Sequence, residues 1–221
     1  GTKSCKKVNL ITGPGNVYVT AAKRKVRSVV AIDSEAGPTE ILIIADEKAN
    51  PKWIAADLIS QAEHDESAAA VLLSTSSKLI EEVKQEIELQ LAKTANRERA
   101  TRALSGEQSA LVLVDSISDA IEIANFYATE HLAIQTESPR DVLQRITNAG
   151  AVFLGGYSPV SLGDYLAGSN HVLPTSGQAR RSSGLSVYTF LRQQQVVDFK
   201  AGALSEVSDL LTKFADAEGL P

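Results

Sequence analysis

The sequence has 221 residues, 43% of them hydrophobic, and a formal net charge of −5 with a pI of about 5.3. That is enough apolar material for a core in one large domain or two small ones, and without a basic patch it argues against nucleic acid or anionic membrane as partner. No apolar run of transmembrane length or signal-peptide pattern occurs, and the single Cys5 has no partner for an internal disulfide, which fits a reducing cytoplasm.

Taken in chain order, Val8-Asn-Leu-Ile-Thr-Gly-Pro-Gly-Asn16 is a short apolar run ending in a turn. Asn16 is a good N-cap for a helix over 17–26 that carries Lys23, Arg24 and Lys25. A glycine-rich turn before a helix can cradle phosphate. This one lacks the dinucleotide-binding spacing and by itself reads as a tight turn. Residues 28–32 read as a strand, 33–39 as a loop and 41–45 as a buried strand. Asn50-Pro51 opens a helix running to about residue 66, with Asn as N-cap and Pro in the first turn.

A strand over 71–74 is followed by an amphipathic helix over 77–93, with Leu79, Ile80, Val83, Ile87 and Leu91 at helical spacing. Residues 110–114 predict a strand, 118–127 a helix, 132–135 a short strand, 139–148 a helix and 151–154 a strand. Alternation of helices with continuously apolar strands predicts a Rossmann-like α/β fold: a mostly parallel sheet with helices on both faces. After Gly155 the rhythm breaks into a Gly/Ser/Pro-rich stretch. A helix over 185–193, a strand over 196–199 and a helix over 205–217 follow. Residues from 186 onward read as a small appended unit.

Three histidines stand beside carboxylates and read as walls of one pocket: His64 in Gln61-Ala-Glu-His-Asp65, His131 after Glu130, and His171 seven residues after Asp164. Gln61 and His64 are three apart on the predicted helix and share a face. Asp164 is expected on a loop at the carboxyl side of a strand, where open α/β sheets place ligands. Nitrogen and oxygen donors without thiolate suit Zn²⁺, with Mn²⁺ or Co²⁺ as replacements. The alternative is a solvated Gln61 and a surface His64. Glu130 and His131 lie where a helix meets a strand. They suit a general base and its partner, or a histidine interacting with a helix dipole beside an exposed glutamate.

Seven segments occur in an order that resembles the histidinol dehydrogenase family. They are Ile11-Thr-Gly-Pro-Gly-Asn16, Ala36-Gly-Pro-Thr-Glu40, Ser60-Gln-Ala-Glu-His-Asp65, Thr129-Glu-His-Leu132, Ser158-Pro-Val-Ser-Leu-Gly-Asp-Tyr165, Gly168-Ser-Asn-His-Val-Leu-Pro-Thr175 and Ser183-Gly-Leu-Ser186. The resemblance spans essentially the whole chain and corresponds to about the C-terminal half of the family's polypeptide. It implies NAD-dependent oxidation of L-histidinol to L-histidine through the aldehyde, in a cytoplasmic homodimer whose sites are completed across the interface. It further implies that Gln61, His64 and Asp164 bind zinc and touch substrate. His131 would be the general base with Glu130 beside it. Thr39, Tyr165, His171 and Glu218 would contact substrate, and Asn16 would contact NAD.

On this resemblance residues 1–38 are the remnant of an NAD-side domain, 39–185 the main zinc and substrate domain, and 186–221 the unit that packs on a partner subunit. The family's other NAD contacts would precede Gly1, and a fourth zinc ligand, a histidine, would follow Pro221. With no Met at position 1, the chain is expected to be a piece of a longer polypeptide and inactive by itself. Two rival readings are a zinc hydrolase using the same ligands and a non-catalytic binding or assembly fragment.

Overall fold

The computed structural model describes residues 1–35 and 37–220; Ala36 of the Ala36–Glu40 segment and the terminal Pro221 lie outside the described residues. The chain divides into two units, Gly1–Phe190 and Leu191–Pro221.

The first unit opens with a small β-α-β element. Strand β1 (Leu10–Ile11) pairs in parallel with β2 (Ala31–Ile32), and α1 (Val17–Val26) connects them. The Asn16 side chain caps α1 by accepting from the N–H groups of Tyr18 and Val19. The strand expected over 28–32 is reduced to its last two residues. The N–H groups of Val29 and Val30 instead bond the Val26 carbonyl at the end of α1, so they are not free to pair with a strand.

The main sheet comprises β3 (Glu40–Ala45), β4 (Ala69–Ser74), β5 (Ala110–Leu113), β6 (His131–Gln135) and β7 (Ala151–Leu154). Its spatial order is β5-β4-β3-β6-β7, and every pairing is parallel. Helices α2 (Pro51–Ala62), α3 (Ser77–Leu91) and α4 (Arg97–Leu104) connect β3, β4 and β5, while α5 (Ile117–Tyr127) and α6 (Pro139–Leu143) lead into β6 and β7. Alternation along β3 sends Ile41 and Ile43 to one face, against Ile54 and Leu58 of α2, Leu79 and Val83 of α3, and Val160. Leu42 and Ile44 go to the other face, against Ala120, Ile121 and Ala124 of α5 and Val142 of α6. Both faces are thus covered, which is why β3, β4 and β6 are buried at every position.

Two helices of the main sheet domain end early, and two fall where none was expected. Helix α2 stops at Ala62, not near residue 66. Glu63, Asp65 and Glu66 would put negative charge at its negative dipole end, and the N–H of His64 closes a tight turn on the Gln61 carbonyl. Helix α6 stops at Leu143 because Asn125 captures the backbone beyond it: its Oδ1 accepts from Thr147 and Asn148 N–H. Helix α4 falls where no element was expected. Its buried stripe is Ala100 and Ala103, packed on Ala62 and Ala68, and an alanine stripe gives little hydrophobic contrast. Helix α7 (Val160–Tyr165) falls where a loop was expected. Gly163 lowers its helical propensity, yet the close approach requires glycine: a Cβ there would meet the Phe153 ring at 2.5 Å.

In the chain after α7, residues 178–180 and 187–190 form single 3₁₀ turns, so the helix expected over 185–193 shrinks to Val187–Phe190. The second unit contains α8 (Ala201–Ala217), which starts four residues before the expected 205. Residues 196–199 form no strand; Val196 and Val197 are exposed and have no neighbouring strand to satisfy their backbone groups.

Candidate active site

The site lies at the amino edge of the main sheet. The sequence pointed to the carboxyl side, so this is a correction, and the cause is the return path of the helices. Helix α2 leaves the carboxyl end of β3 and runs back, so Gln61 in its last turn comes beside Thr39, which precedes β3: Gln61 Nε2 donates to Thr39 Oγ1. Helix α7 returns after β7 in the same way and brings Asp164 Oδ1 to 4.0 Å from His131 Nε2. Both helices pack on the same face of the sheet through Leu58 and Val160, so Gln61 and Asp164 are on one side.

Glu130 and His131 enter from the junction between α5 and β6. The junction turns sharply at Ala128, whose φ of 55° is left-handed. Glu130 Oε2 accepts from the Thr39 hydroxyl at 2.6 Å and the Glu40 N–H at 3.0 Å. Gly150 packs directly behind it, and a Cβ there would meet the Glu130 carbonyl oxygen at 2.6 Å. The Glu130 carboxyl is pushed up to about 7, first by burial, with bonds from Thr39 and Glu40 opposing and the Glu40 and Asp164 charges adding. It therefore exchanges its proton near neutrality.

His131 Nδ1 lies 3.0 Å from the Glu40 carbonyl oxygen. A carbonyl only accepts, so Nδ1 carries the proton and Nε2 holds the lone pair. Nε2 is buried and has no hydrogen-bond partner among the described residues. Burial holds the ring's pKa below its ordinary value; the Glu40 carbonyl and Asp164 oppose this, and His64 adds to it. The imidazole is neutral at neutral pH, a base with its acceptor nitrogen toward Asp164.

In front of this group is a cavity of about 530 Å³. Asn16, Thr39, His64, Glu130 and His171 line it, so five separate segments of the chain form its walls. Gln61 and His131 lie behind the lining and are almost fully buried. Tyr165 is 77% exposed and outside the cavity lining, and Glu218 caps α8 in the second unit. The Gly-Pro-Gly turn is fixed by side chains that sequence reading passed over. The Gly13 N–H donates to Asp33 at 2.7 Å, and the buried Lys23 ammonium bonds both Asp33 and the Gly13 carbonyl. Glu40 was also passed over as a site residue, although it ends one of the segments quoted above.

The family model for histidinol dehydrogenase matches residues 1–221. The chain is 58% identical to the histidinol dehydrogenase of Corynebacterium diphtheriae over 214 residues, covering 97% of this chain and 48% of that protein. The chain belongs to the histidinol dehydrogenase family. The enzyme of that name from Mycobacterium bovis is 59% identical over 97% of this chain and 48% of its own length. The chain thus spans about half the length of the curated relatives it matches. A crystal structure of histidinol dehydrogenase from Elizabethkingia anophelis superposes with a TM-score of 0.94 at 41% identity, covering all of this chain and 51% of that one. An acetylating aldehyde dehydrogenase from Geobacillus thermoglucosidasius, 13% identical with a TM-score of 0.53, shares the fold.

Among the described residues, no three His, Cys, Asp or Glu side chains are placed to hold an ion by themselves. A set that includes the Gln61 carboxamide is outside that criterion. Amide oxygen, imidazole and carboxylate are a donor set that suits Zn²⁺. The Thr39 hydroxyl binds the amide nitrogen of Gln61, which orients its oxygen away from Thr39. The donors therefore fit zinc in chemistry, with Gln61 buried and His64 on an exposed turn.

Proposed function

We propose that this protein is the zinc- and substrate-binding part of an NAD-dependent histidinol dehydrogenase. It would oxidise L-histidinol to L-histidine through L-histidinal, the last steps of histidine biosynthesis, in the cytoplasm. The observation that carries the reading is His131, neutral and protonated on Nδ1 by its bond to the Glu40 carbonyl, with Nε2 buried and unpartnered. A buried, unsatisfied acceptor is costly, and a substrate hydroxyl would satisfy it.

Gln61, His64 and Asp164 would hold zinc and touch substrate, and Asn16 would contact NAD. When bound, zinc supplies orientation of the substrate's amine and imidazole nitrogens, and NAD⁺ accepts each hydride. In the first oxidation His131 Nε2 takes the hydroxyl proton as hydride leaves the carbinol carbon, giving the aldehyde. Glu130, exchanging its proton near pH 7, takes a proton from the water that adds to the aldehyde, while His131 returns its proton to the aldehyde oxygen, giving the hydrate and freeing Nε2. In the second oxidation His131 takes a hydroxyl proton from the hydrate as a second hydride leaves, giving the carboxylic acid. Thr39, Tyr165 and His171 would contact the substrate.

The protein would work as a homodimer. The second unit holds one 17-residue helix, α8, too little to bury a core by itself. Leu210, Leu211 and Phe214 on it are each more than half exposed. Glu218, at its end, would serve the substrate pocket of the partner subunit.

The deciding experiment incubates the full-length protein with histidinol and NAD⁺. Two NADH per histidinol are expected. A hydrolase would leave NAD⁺ unreduced.

A further inference from the structure

Glu40 is buried at the start of β3, and each of its polar parts is used. One carboxylate oxygen, Oε2, accepts the Glu130 N–H at 3.3 Å, and the other, Oε1, accepts the Ser176 N–H at 2.9 Å. Its N–H donates to Glu130 Oε2, and its carbonyl faces His131 Nδ1. The two N–H groups it holds belong to segments about 46 residues apart in the chain, a rough separation that no local bond could bridge. One segment carries Glu130 and His131. The other, 171–176, brings His171 to the cavity.

Both segments contain a strained residue. Ala128 and Ser176 have φ of 55° and 54°, and among the described residues they are the only non-glycine residues with positive φ. Such backbone persists where surrounding structure over-determines it. A carboxylate is suited to this position because it accepts on both oxygens. A carboxamide would set an NH₂ group against one of the two N–H groups. Among the described residues no cationic side chain forms an ion pair with Glu40, and the backbone N–H groups take that role. The Thr175 hydroxyl accepts the Gly37 N–H at 2.5 Å, a second bond between the stretch that leads into Glu40 and the 171–176 segment.

We propose that Glu40 is a positioning residue whose carboxylate, by holding the Glu130 and Ser176 N–H groups together, sets the distance between the Glu130–His131 pair and the His171 wall of the cavity. Its use in catalysis rests on the oxidoreductase reading above; the tether itself does not.

The test uses Glu40→Gln in the full-length protein. In hydrogen exchange, whichever of the Glu130 and Ser176 amides faces the new NH₂ group is expected to exchange at least ~10-fold faster than in the parent, a loss of about 1.4 kcal/mol of protection. The Ile43 and Leu72 amides in the same sheet should be unchanged. Unchanged exchange at Glu130 and Ser176 overturns the tether, whether or not the protein is an active dehydrogenase. In steady-state kinetics with histidinol, misplacement by about 1 Å should raise KM and lower kcat together, with kcat/KM down roughly 10²-fold. Glu40→Asp, one methylene shorter, should not restore it. A folded Glu40→Gln enzyme within twofold of the parent in both constants overturns the positioning role. If the parent oxidises no histidinol, the proposed function fails and the exchange result still decides the tether.

Discussion

Asp57, in the middle of α2, offers a sharp test of the balance between burial and charge. Its carboxylate accepts Gln135 Nε2 at 3.2 Å and the backbone N–H of Val160 at the start of α7. Burial raises its pKa from 3.8 to about 6, with the Val160 bond opposing. A displacement of that size corresponds to about 3 kcal/mol. The native state holds the proton more tightly than the unfolded chain, so it binds more protons between pH 4 and 6. Stability therefore falls as pH rises through that window, by up to about 1.4 kcal/mol per pH unit, and levels off above it. Asp57→Asn removes the charge and keeps an acceptor for Val160. Gln135 can turn over to offer its Oε1, which has no partner among the described residues, to the new amide. The variant should match the parent near pH 3.5 and gain steadily to a plateau of about 2–3 kcal/mol above pH 6. Urea unfolding at half-unit pH steps reads this directly. A stability difference that stays flat from pH 4 to 7, or a variant less stable at pH 7 than at pH 4 relative to the parent, refutes the reasoning.

Replacing His131 with Asn in the full-length enzyme should cut turnover roughly 10²–10⁴-fold with zinc content unchanged; near-parental turnover in a zinc-loaded variant removes His131 from the mechanism. Thr39→Val deletes the hydroxyl that bonds both Gln61 and Glu130, so zinc affinity measured by competitive chelation should drop roughly 10–100-fold; equal affinity would mean that Thr39 does not orient Gln61. Leu58→Ala empties a fully buried site shared by α2 and the sheet and should cost about 2–5 kcal/mol, read as a lower urea midpoint. For the second unit, Leu211→Glu on α8 should convert a dimer into monomer by light scattering, and an unchanged mass would put the interface elsewhere.

Composition and periodicity were sufficient for the class of fold. Continuous apolar runs such as Ile41 to Ala45, alternating with helical spacings such as Leu79 to Leu91, leave few arrangements besides a parallel sheet covered on both faces. The residue types at the candidate site were legible as well, because three histidines beside carboxylates are conspicuous in a chain with so few. Their spatial relation was not legible. Which edge of the sheet receives a side chain depends on how far along a returning helix it lies, and the return of α7 was hidden by Gly163, whose purpose is contact with Phe153. Glu40 read only as the end of one matched segment, between a loop over 33–39 and a strand over 41–45. Its role comes from two N–H groups at Glu130 and Ser176, and only the folded chain brings those within reach of one carboxylate. Local sequence carries propensity and pattern, which are short-range. The tautomer of His131, the raised proton affinity of Glu130 and the cavity in front of them are set by burial and by bonds between distant segments, which exist only once the sheet has formed.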